Sequence, residues 1–235
     1  MTLTVLGSNS SGNGYVLKSS TGECLALEAG LPYTILLKAV GYVRSSIVAV
    51  LTSHVHQDHF KFAKEYIECG LPLYSHMESA EFGASPLPEK KWHTFGSFQV
   101  MPFSVHHDVP NYGYVIKHPE FGSLLFATDC NIIPTAFRGI KHFLIEANYS
   151  DAQLLLSDTD KTQKRRISEA HMSLESCVEY LHACKASATA QTVTLIHLSS
   201  RHSNSDAFQR RIEQEFGVPC YIARKGLTIT LDDIL

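Results

Sequence analysis

The sequence predicts an α/β protein built as a four-layer αββα sandwich, and three observations carry the prediction. Strand-like runs fall into two blocks, one at the N-terminus and one in the middle of the chain. Helical stretches flank these blocks, so that helices can cover the outside of two stacked sheets. Several apolar strands end in a histidine or an aspartate, as where strand ends gather around a site in layered α/β folds. A doubly wound single sheet is the lesser alternative. The 235 residues suffice for one domain, residues 1–235, with a sizeable core.

Residues 3–6, 14–18 and 24–27 read as three short strands. The link Gly7-Ser8-Asn9-Ser10-Ser11-Gly12-Asn13 is small and polar throughout. It suits either a plain turn or a nest of backbone N–H groups facing an anion. Pro32 opens a helix to about residue 40, with proline in its favoured first turn. Ile47-Val48-Ala49-Val50-Leu51 is an apolar run of strand length, the pattern of a buried strand. A helix from residue 60 to about residue 68 follows. Residues 98–105, 113–117 and 123–127 alternate or run apolar, as strands do, and 141–145 adds another. Helices then dominate, at about 151–156, 173–184 and 206–216, with one more buried strand at 192–196. Ser173 offers its hydroxyl as an N-cap for the second of these helices. Strands at 218–222 and 227–231 close the chain, and no repeat shows at the level of sequence identity.

Composition narrows the function classes. Apolar residues at 44% and charged residues at 18% are ordinary globular values. A net charge of −3 gives no global basic footprint, which disfavours tight, sequence-blind binding of long nucleic acid. Lys161, Lys164, Arg165 and Arg166 form a local basic cluster, read first as a solvated helix face. The six cysteines form no CxxC pair, and no signal peptide stands at the N-terminus. Both point to reduced thiols and a cytoplasmic location. No apolar run is long enough to span a bilayer, so a membrane is not an expected partner.

The densest chemistry lies in Ser53-His54-Val55-His56-Gln57-Asp58-His59, directly after the strand at 47–51. Three imidazoles and a carboxylate are donors for borderline divalent metals such as zinc. In an extended segment His54 and His56 point the same way. The following turn can swing Asp58 and His59 to a second point, so one segment can feed two ions. The pattern recurs at other strand ends: Val105-His106-His107-Asp108, Thr128-Asp129, and Ile196-His197. Gathered on one edge, His54, His56 and one of His106 or His107 make a three-imidazole site. Asp58, His59 and His197 make a second, and Asp129 can bridge the two. Such sites keep open positions, as catalytic metal centres do. Taken alone, His197 reads as a core histidine and Asp129 as a turn aspartate.

These residues resemble the metallo-β-lactamase superfamily, whose αββα fold holds its metals at one edge. Its HxHxDH signature is matched by His54, His56, Asp58 and His59. The later ligands of the family match His107, Asp129 and His197. His107 is preferred to His106 because phosphodiesterase-like members carry a His-Asp pair followed by Gly-Tyr, as in His107-Asp108 and Gly113-Tyr114 here. The resemblance runs from residue 6 to about residue 204. It is greatest to the phosphodiesterase side, the small bacterial and phage exonuclease-like members and more distantly tRNase Z. The loop from Gly7 to Asn13, the segment Ile145-Glu146-Ala147-Asn148, the element His171-Met172-Ser173 and the block His197-Leu198-Ser199-Ser200-Arg201 carry it. Two departures stand out: Glu28-Ala29-Gly30 replaces Asp-Ala-Gly, and no insertion resembles the tRNA-gripping arm of tRNase Z.

What the resemblance implies is a dinuclear metal-dependent phosphodiesterase, nuclease- or exonuclease-like, acting with a metal-bridging hydroxide. Two Zn2+ ions, or Mn2+, are the implied cofactors. The implied substrate is a phosphodiester, such as a DNA or RNA end. His171, oriented by Glu146, is placed to protonate the leaving alkoxide, and Asp58 belongs with them in the catalytic set. Asn13, Ser199 and Arg201 are the expected phosphate contacts. Hydrolysis of a small cyclic phosphodiester, a lactone or a thioester is the alternative.

Overall fold

The computed structural model describes residues 1–232. Its strands form two seven-stranded sheets. The first contains β1 (Thr2–Gly7), β2 (Gly14–Lys18), β3 (Cys24–Leu27), β4 (Ile47–Leu51), β5 (Leu73–Ser75) and β6 (Ser85–Pro86). The second contains β7 (His93–Phe95), β8 (Phe98–Val105), β9 (Asn111–His118), β10 (Gly122–Ala127), β11 (His142–Glu146), β12 (Thr192–Ile196) and β13 (Cys220–Ile222). The last strand, β14 (Thr228–Thr230), returns to the first sheet beside β1. The helices are α1 (Tyr33–Ala39), α2 (Gln57–Phe60), α3 (Ala63–Glu68), α4 (Asp151–Leu156), α5 (Lys161–Ala170), α6 (Leu174–Ala183), α7 (Ala186–Thr189) and α8 (Ser205–Phe216).

Both sheets follow one scheme. The order β14-β1-β2-β3-β4-β5-β6 is antiparallel as far as β3 and parallel beyond it. The order β7-β8-β9-β10-β11-β12-β13 is antiparallel as far as β10 and parallel beyond it. The halves of the chain thus share a topology that sequence identity does not reveal.

Side-chain alternation along the strands builds the layers. Leu25 and Leu27 of β3 face the other sheet and join Phe98, Tyr114, Phe126 and Leu144, while Cys24 and Ala26 face outward onto Leu36 of α1 and Tyr66 of α3. In β10, Leu124 and Phe126 point inward, and Leu125 and Ala127 point toward Leu181 of α6 and Phe208 of α8. The period of two sends alternate residues to opposite faces. Each fully buried Leu or Phe contributes roughly 1.5–3 kcal/mol over exposure. Because both faces of these strands are covered, they read as continuous apolar runs. The result is the expected order of helix, sheet, sheet, helix.

Three elements differ from the sequence expectation. The helix expected at 60–68 is two, α2 and α3, because the segment after the histidine cluster is tied to the exit of β3. The Ala29 N–H donates to the His59 carbonyl (2.8 Å), the Phe62 N–H donates to the Ala29 carbonyl (2.9 Å), and the Asn13 N–H donates to the Asp58 carbonyl (2.7 Å). Those bonds hold α2 in place and break the helix at Phe62. Strands β5, β6 and β7 have two or three residues each, too few to show a period. The basic cluster at Lys161–Arg166 lies in α5, none of whose residues is buried. Elsewhere, the Ser173 hydroxyl caps α6 by accepting from the Ser176 N–H at 3.1 Å, as expected.

The tie between β3 and α2 has no room to spare. A Cβ on Gly30 would sit 1.8 Å from the Asp58 carbonyl oxygen. Gly30→Ala should therefore push the metal-type segment away from β3, with a loss of about 3 kcal/mol or more. A thermal melt within about 1 °C of the wild type would show that this contact relaxes freely.

Candidate metal centre

The parallel strands of both sheets deliver their C-terminal ends to one edge. Glu28 follows β3, His54 lies just beyond β4, Asp129 lies just beyond β10, Glu146 ends β11, and His197 follows β12. Glu28, Asp129 and His197 have positive φ (68°, 47° and 53°). The left-handed region costs a non-glycine residue about 1–3 kcal/mol, and such strain collects at functional sites. Here it falls where the chain turns off a strand end and leaves a polar side chain at the edge.

Three groups of donors result among the described residues. The ligand atoms of His54, His56 and His107 lie within 4.8 Å of one another, and so do those of Asp58, His59, Asp129 and His197. The third group, Asp129, Glu146, His171 and His197, overlaps the second. Asp129 stands between the first two. Its Oδ2 is 3.8 Å from His54 Nε2 and 3.3 Å from His59 Nε2, and its Oδ1 is 3.3 Å from His197 Nδ1. His197 and His59 both approach Asp58 Oδ2, at 3.2 and 3.1 Å. His106 is exposed and bridges Ile132 through its backbone, so the segment after β8 sends His107 inward.

The donor set fits divalent cations on three counts. The His54 Nε2 atom is buried without a hydrogen-bond partner and faces Asp129. Burial holds this imidazole well below its usual pKa, so it is neutral and keeps a lone pair that a cation could take. His107 Nδ1 donates to the Ala170 carbonyl (3.0 Å), which leaves a lone pair on Nε2 facing His56 Nδ1 at 3.2 Å. The two nitrogens can share a proton, or both can turn their lone pairs to one cation. Finally, Glu28, Asp129 and Glu146 are buried, and every ion pair they make among the described residues is with a histidine. Burial alone would lower the pKa of His197, but Asp129, Asp58 and Glu146 more than offset it and push it up to about 10. That negative field is one that bound dications would neutralise.

Neighbouring residues hold the donor histidines through their other ring atoms or through their backbone. Ser53 Oγ meets His54 Nδ1 at 2.9 Å, and Glu28 Oε1 lies 3.5 Å from His59 Nδ1 while Oε2 accepts the Ser53 N–H. Ser8 Oγ accepts the His197 N–H (2.9 Å), and Asn148 Nδ2 donates to the His197 carbonyl (2.7 Å). Asn148 was not expected in this role, and nothing in its sequence position announces it. Such partners typically tune metal affinity by 10–100-fold. Glu28→Gln should accordingly weaken metal binding by about 10–100-fold in a chelator competition while leaving the circular dichroism spectrum intact. Unchanged affinity would show that the glutamate is a spectator.

Glu146 and His171 stand beside the first two groups. His171 Nδ1 is 2.7 Å from Glu146 Oε1, and Glu146 Oε2 accepts the backbone N–H of Cys130 (3.0 Å) and of Met172 (3.3 Å). Burial opposes a charge on His171, but the Glu146 charge and hydrogen bond outweigh it and raise the pKa. The imidazole opens on a cleft of about 820 Å³, which His56, Asp58, His107, Asp129 and His197 also line.

The three expected phosphate contacts are placed otherwise. Asn13 is fully buried behind the ligands, where its Nδ2 reaches Asp58 Oδ2 at 3.2 Å and His59 Nε2 at 3.0 Å. The loop around it is a brace and not an anion nest, since the N–H groups of Ser11, Gly12 and Asn13 bond to Asn9 and Asp58. Ser199 turns its hydroxyl to the N–H groups of Arg201 and His202. Arg201 lines a second cavity of about 550 Å³ with Thr159 and His202, separated from the metal cleft by Gln163.

A two-sheet αββα sandwich with clustered histidine and aspartate donors at the strand ends defines the metal-dependent hydrolase class of this fold. Residues 38–198 match the model of the β-lactamase superfamily domain, and the chain belongs to that family. No curated protein matches the sequence. Among solved structures, the metallo-β-lactamase fold protein YhfI from Bacillus subtilis superposes with a TM-score of 0.76 at 19% identity, covering 97% of this chain and 99% of that one. The short form of human tRNase Z gives 0.70 at 15% identity, over 98% and 99%. A diphosphatase from the PhnP family gives 0.67 at 17% identity, over 100% and 98%. At these identities the likeness is one of fold. No helix among the described residues is long and apolar enough to cross a membrane.

Proposed function

We propose that the protein is a dinuclear metal-dependent phosphodiesterase, nuclease- or exonuclease-like, that takes a phosphodiester such as a DNA or RNA end. One observation carries the reading: His171, joined at 2.7 Å to the buried Glu146, opens on the metal cleft, and neither residue is needed to complete the group of His54, His56 and His107 or that of Asp58, His59, Asp129 and His197. Two structural neighbours are by name a tRNase and a diphosphatase, which supports the same choice. Zinc suits the imidazole-rich donors, and the shared carboxylate also suits manganese. When bound, such a pair lowers the pKa of a shared water and offsets charge at phosphorus. The chain supplies the rest. His54, His56 and His107 would hold one cation and Asp58, His59 and His197 the other, with Asp129 within reach of both groups. Glu146, pinned by two backbone N–H groups, keeps the His171 Nδ1 proton in place and turns Nε2 to the cleft. From there His171 gives its proton to the departing alkoxide. With six free cysteines, the chain suits a reducing cytoplasm.

The size of the cleft favours one second reading. About 820 Å³ is the volume of a small-molecule site, which a cyclic phosphodiester, a lactone or a thioester would also fit. A screen of zinc- and manganese-loaded protein against bis-p-nitrophenyl phosphate, linear DNA, RNA and a lactone separates the readings. Phosphodiester turnover that a chelator abolishes is the expected result. Turnover of the lactone with none on any phosphodiester would replace the first reading with the second.

A further inference from the structure

One wall of the metal cleft is not explained by the ligands. Gln163, Arg166, Ile167 and Ala170 of α5 line it, at the i, i+3, i+4, i+7 spacing of a single helix face. No residue of this ten-residue helix is buried, so apolar packing does not hold it there. Its contacts do. At the N-terminal end the Asp160 carboxylate accepts the Gln163 N–H (3.0 Å), and Lys164 Nζ donates to the carbonyls of Leu155 and Ser157 at 2.7 and 2.8 Å. At the C-terminal end the Ala170 carbonyl accepts from His107, and His171 is bound to Glu146. The helix is thus fixed to the metal-binding histidines themselves.

Its basic residues divide by task. Lys164 is consumed by the two carbonyls, and Arg165 pairs with Glu169 at 2.7 Å. Arg166 remains. Among the described residues its guanidinium makes no hydrogen bond or ion pair, and it is the one lysine or arginine that lines the cleft. The cleft's carboxylates are otherwise engaged: Asp58 and Asp129 with the donor groups, Asp108 with His56 and His107, and Glu169 with Arg165. An unpaired guanidinium is a flat fork of donors matched to phosphate oxygens.

We propose that Arg166 is a specificity-determining residue that receives a second phosphate of the substrate beside the scissile one. The preferred substrate is then a phosphodiester that carries an adjacent phosphate, as in a nucleotide chain or a bisphosphate. This deepens the phosphodiesterase reading and rests on it.

Equilibrium binding to the metal-loaded full chain tests the assignment without turnover. The probes are thymidine 5′-monophosphate and thymidine 3′,5′-bisphosphate. The wild type is expected to bind the bisphosphate about tenfold more tightly, the size of one charge-assisted contact. Arg166→Ala should bring that ratio close to one, and Arg166→Lys should restore part of it. Arg165→Ala, whose side chain is occupied by Glu169, should keep the wild-type ratio. A wild type with no preference, binding to neither nucleotide, or a preference that survives in Arg166→Ala would overturn the proposal. Failure of the wild type to turn over any phosphodiester would instead remove the reading beneath it, so the two failures are told apart.

Discussion

Asp129→Asn should give a folded protein that binds less than half of the wild-type metal and has lost turnover by about 10³ or more. Asp129 is the carboxylate that reaches both donor groups, with one oxygen 3.8 Å from His54 and 3.3 Å from His59 and the other 3.3 Å from His197. Asparagine keeps the shape and removes the charge. Several kcal/mol of Lewis-acid stabilisation, at about 1.4 kcal/mol per tenfold, sets the size of the expected loss. Stability gives an independent check. Bound metal stabilises only the folded state, so zinc should raise the melting temperature of the wild type well above that of its chelated form and raise that of the variant much less. The chelated variant should melt lower than the chelated wild type, because Asp129 pairs with the buried His59 and His197 and its loss leaves their charge uncompensated. Elemental analysis and paired melts with and without chelator supply both readouts. Full metal content in Asp129→Asn would show that it does not bridge.

The sequence made some of this site legible and not the rest, for physical reasons. His54, His56, Asp58 and His59 are close in sequence and follow a strand, so their meeting needs no tertiary information. Asp129 and His197 were readable because a parallel strand places its last residues at a common edge, and the continuous apolar runs of β10 and β12 mark those ends. Choosing His107 over His106 needed the family pattern, since alternation alone says only that one of them faces inward. Asn13 was misread as a substrate contact because a small polar loop has no period to show which way it faces. The bond from its N–H to the Asp58 carbonyl, with its side chain on Asp58 and His59, fixes it behind the ligands. Helix α5 was readable as a polar helix but not as a wall of the cleft. Its C-terminal end is set against the site by the Ala170 carbonyl on His107, a backbone contact that its side chains do not encode.

His171→Ala should keep its metals and lose turnover by about 10²–10⁴ on a diester with an alkoxide leaving group, while losing far less on a nitrophenyl diester. The difference follows from where the proton goes. An alkoxide leaves slowly unless it is protonated as the bond to phosphorus breaks, whereas nitrophenolate is stable without a proton. The structure supplies the geometry for a donor and its support. His171 bonds to Glu146 through Nδ1 at 2.7 Å, so its other nitrogen is the one free to act in the cleft. Glu146 is itself fixed by the Cys130 and Met172 N–H groups, so it orients the ring without freedom to rotate away. Glu146→Gln should show the same split between substrates in a milder form, because an amide can still hold the ring but carries no charge to favour the imidazolium. A competing role has its own signature. His171, Glu146, Asp129 and His197 also present donor atoms within 4.8 Å of one another, an arrangement able to hold an ion. If His171 were a ligand there, His171→Ala would lose metal and would slow both substrates equally. Measured metal content and the ratio of the two rates therefore decide between a proton donor and a fourth ligand.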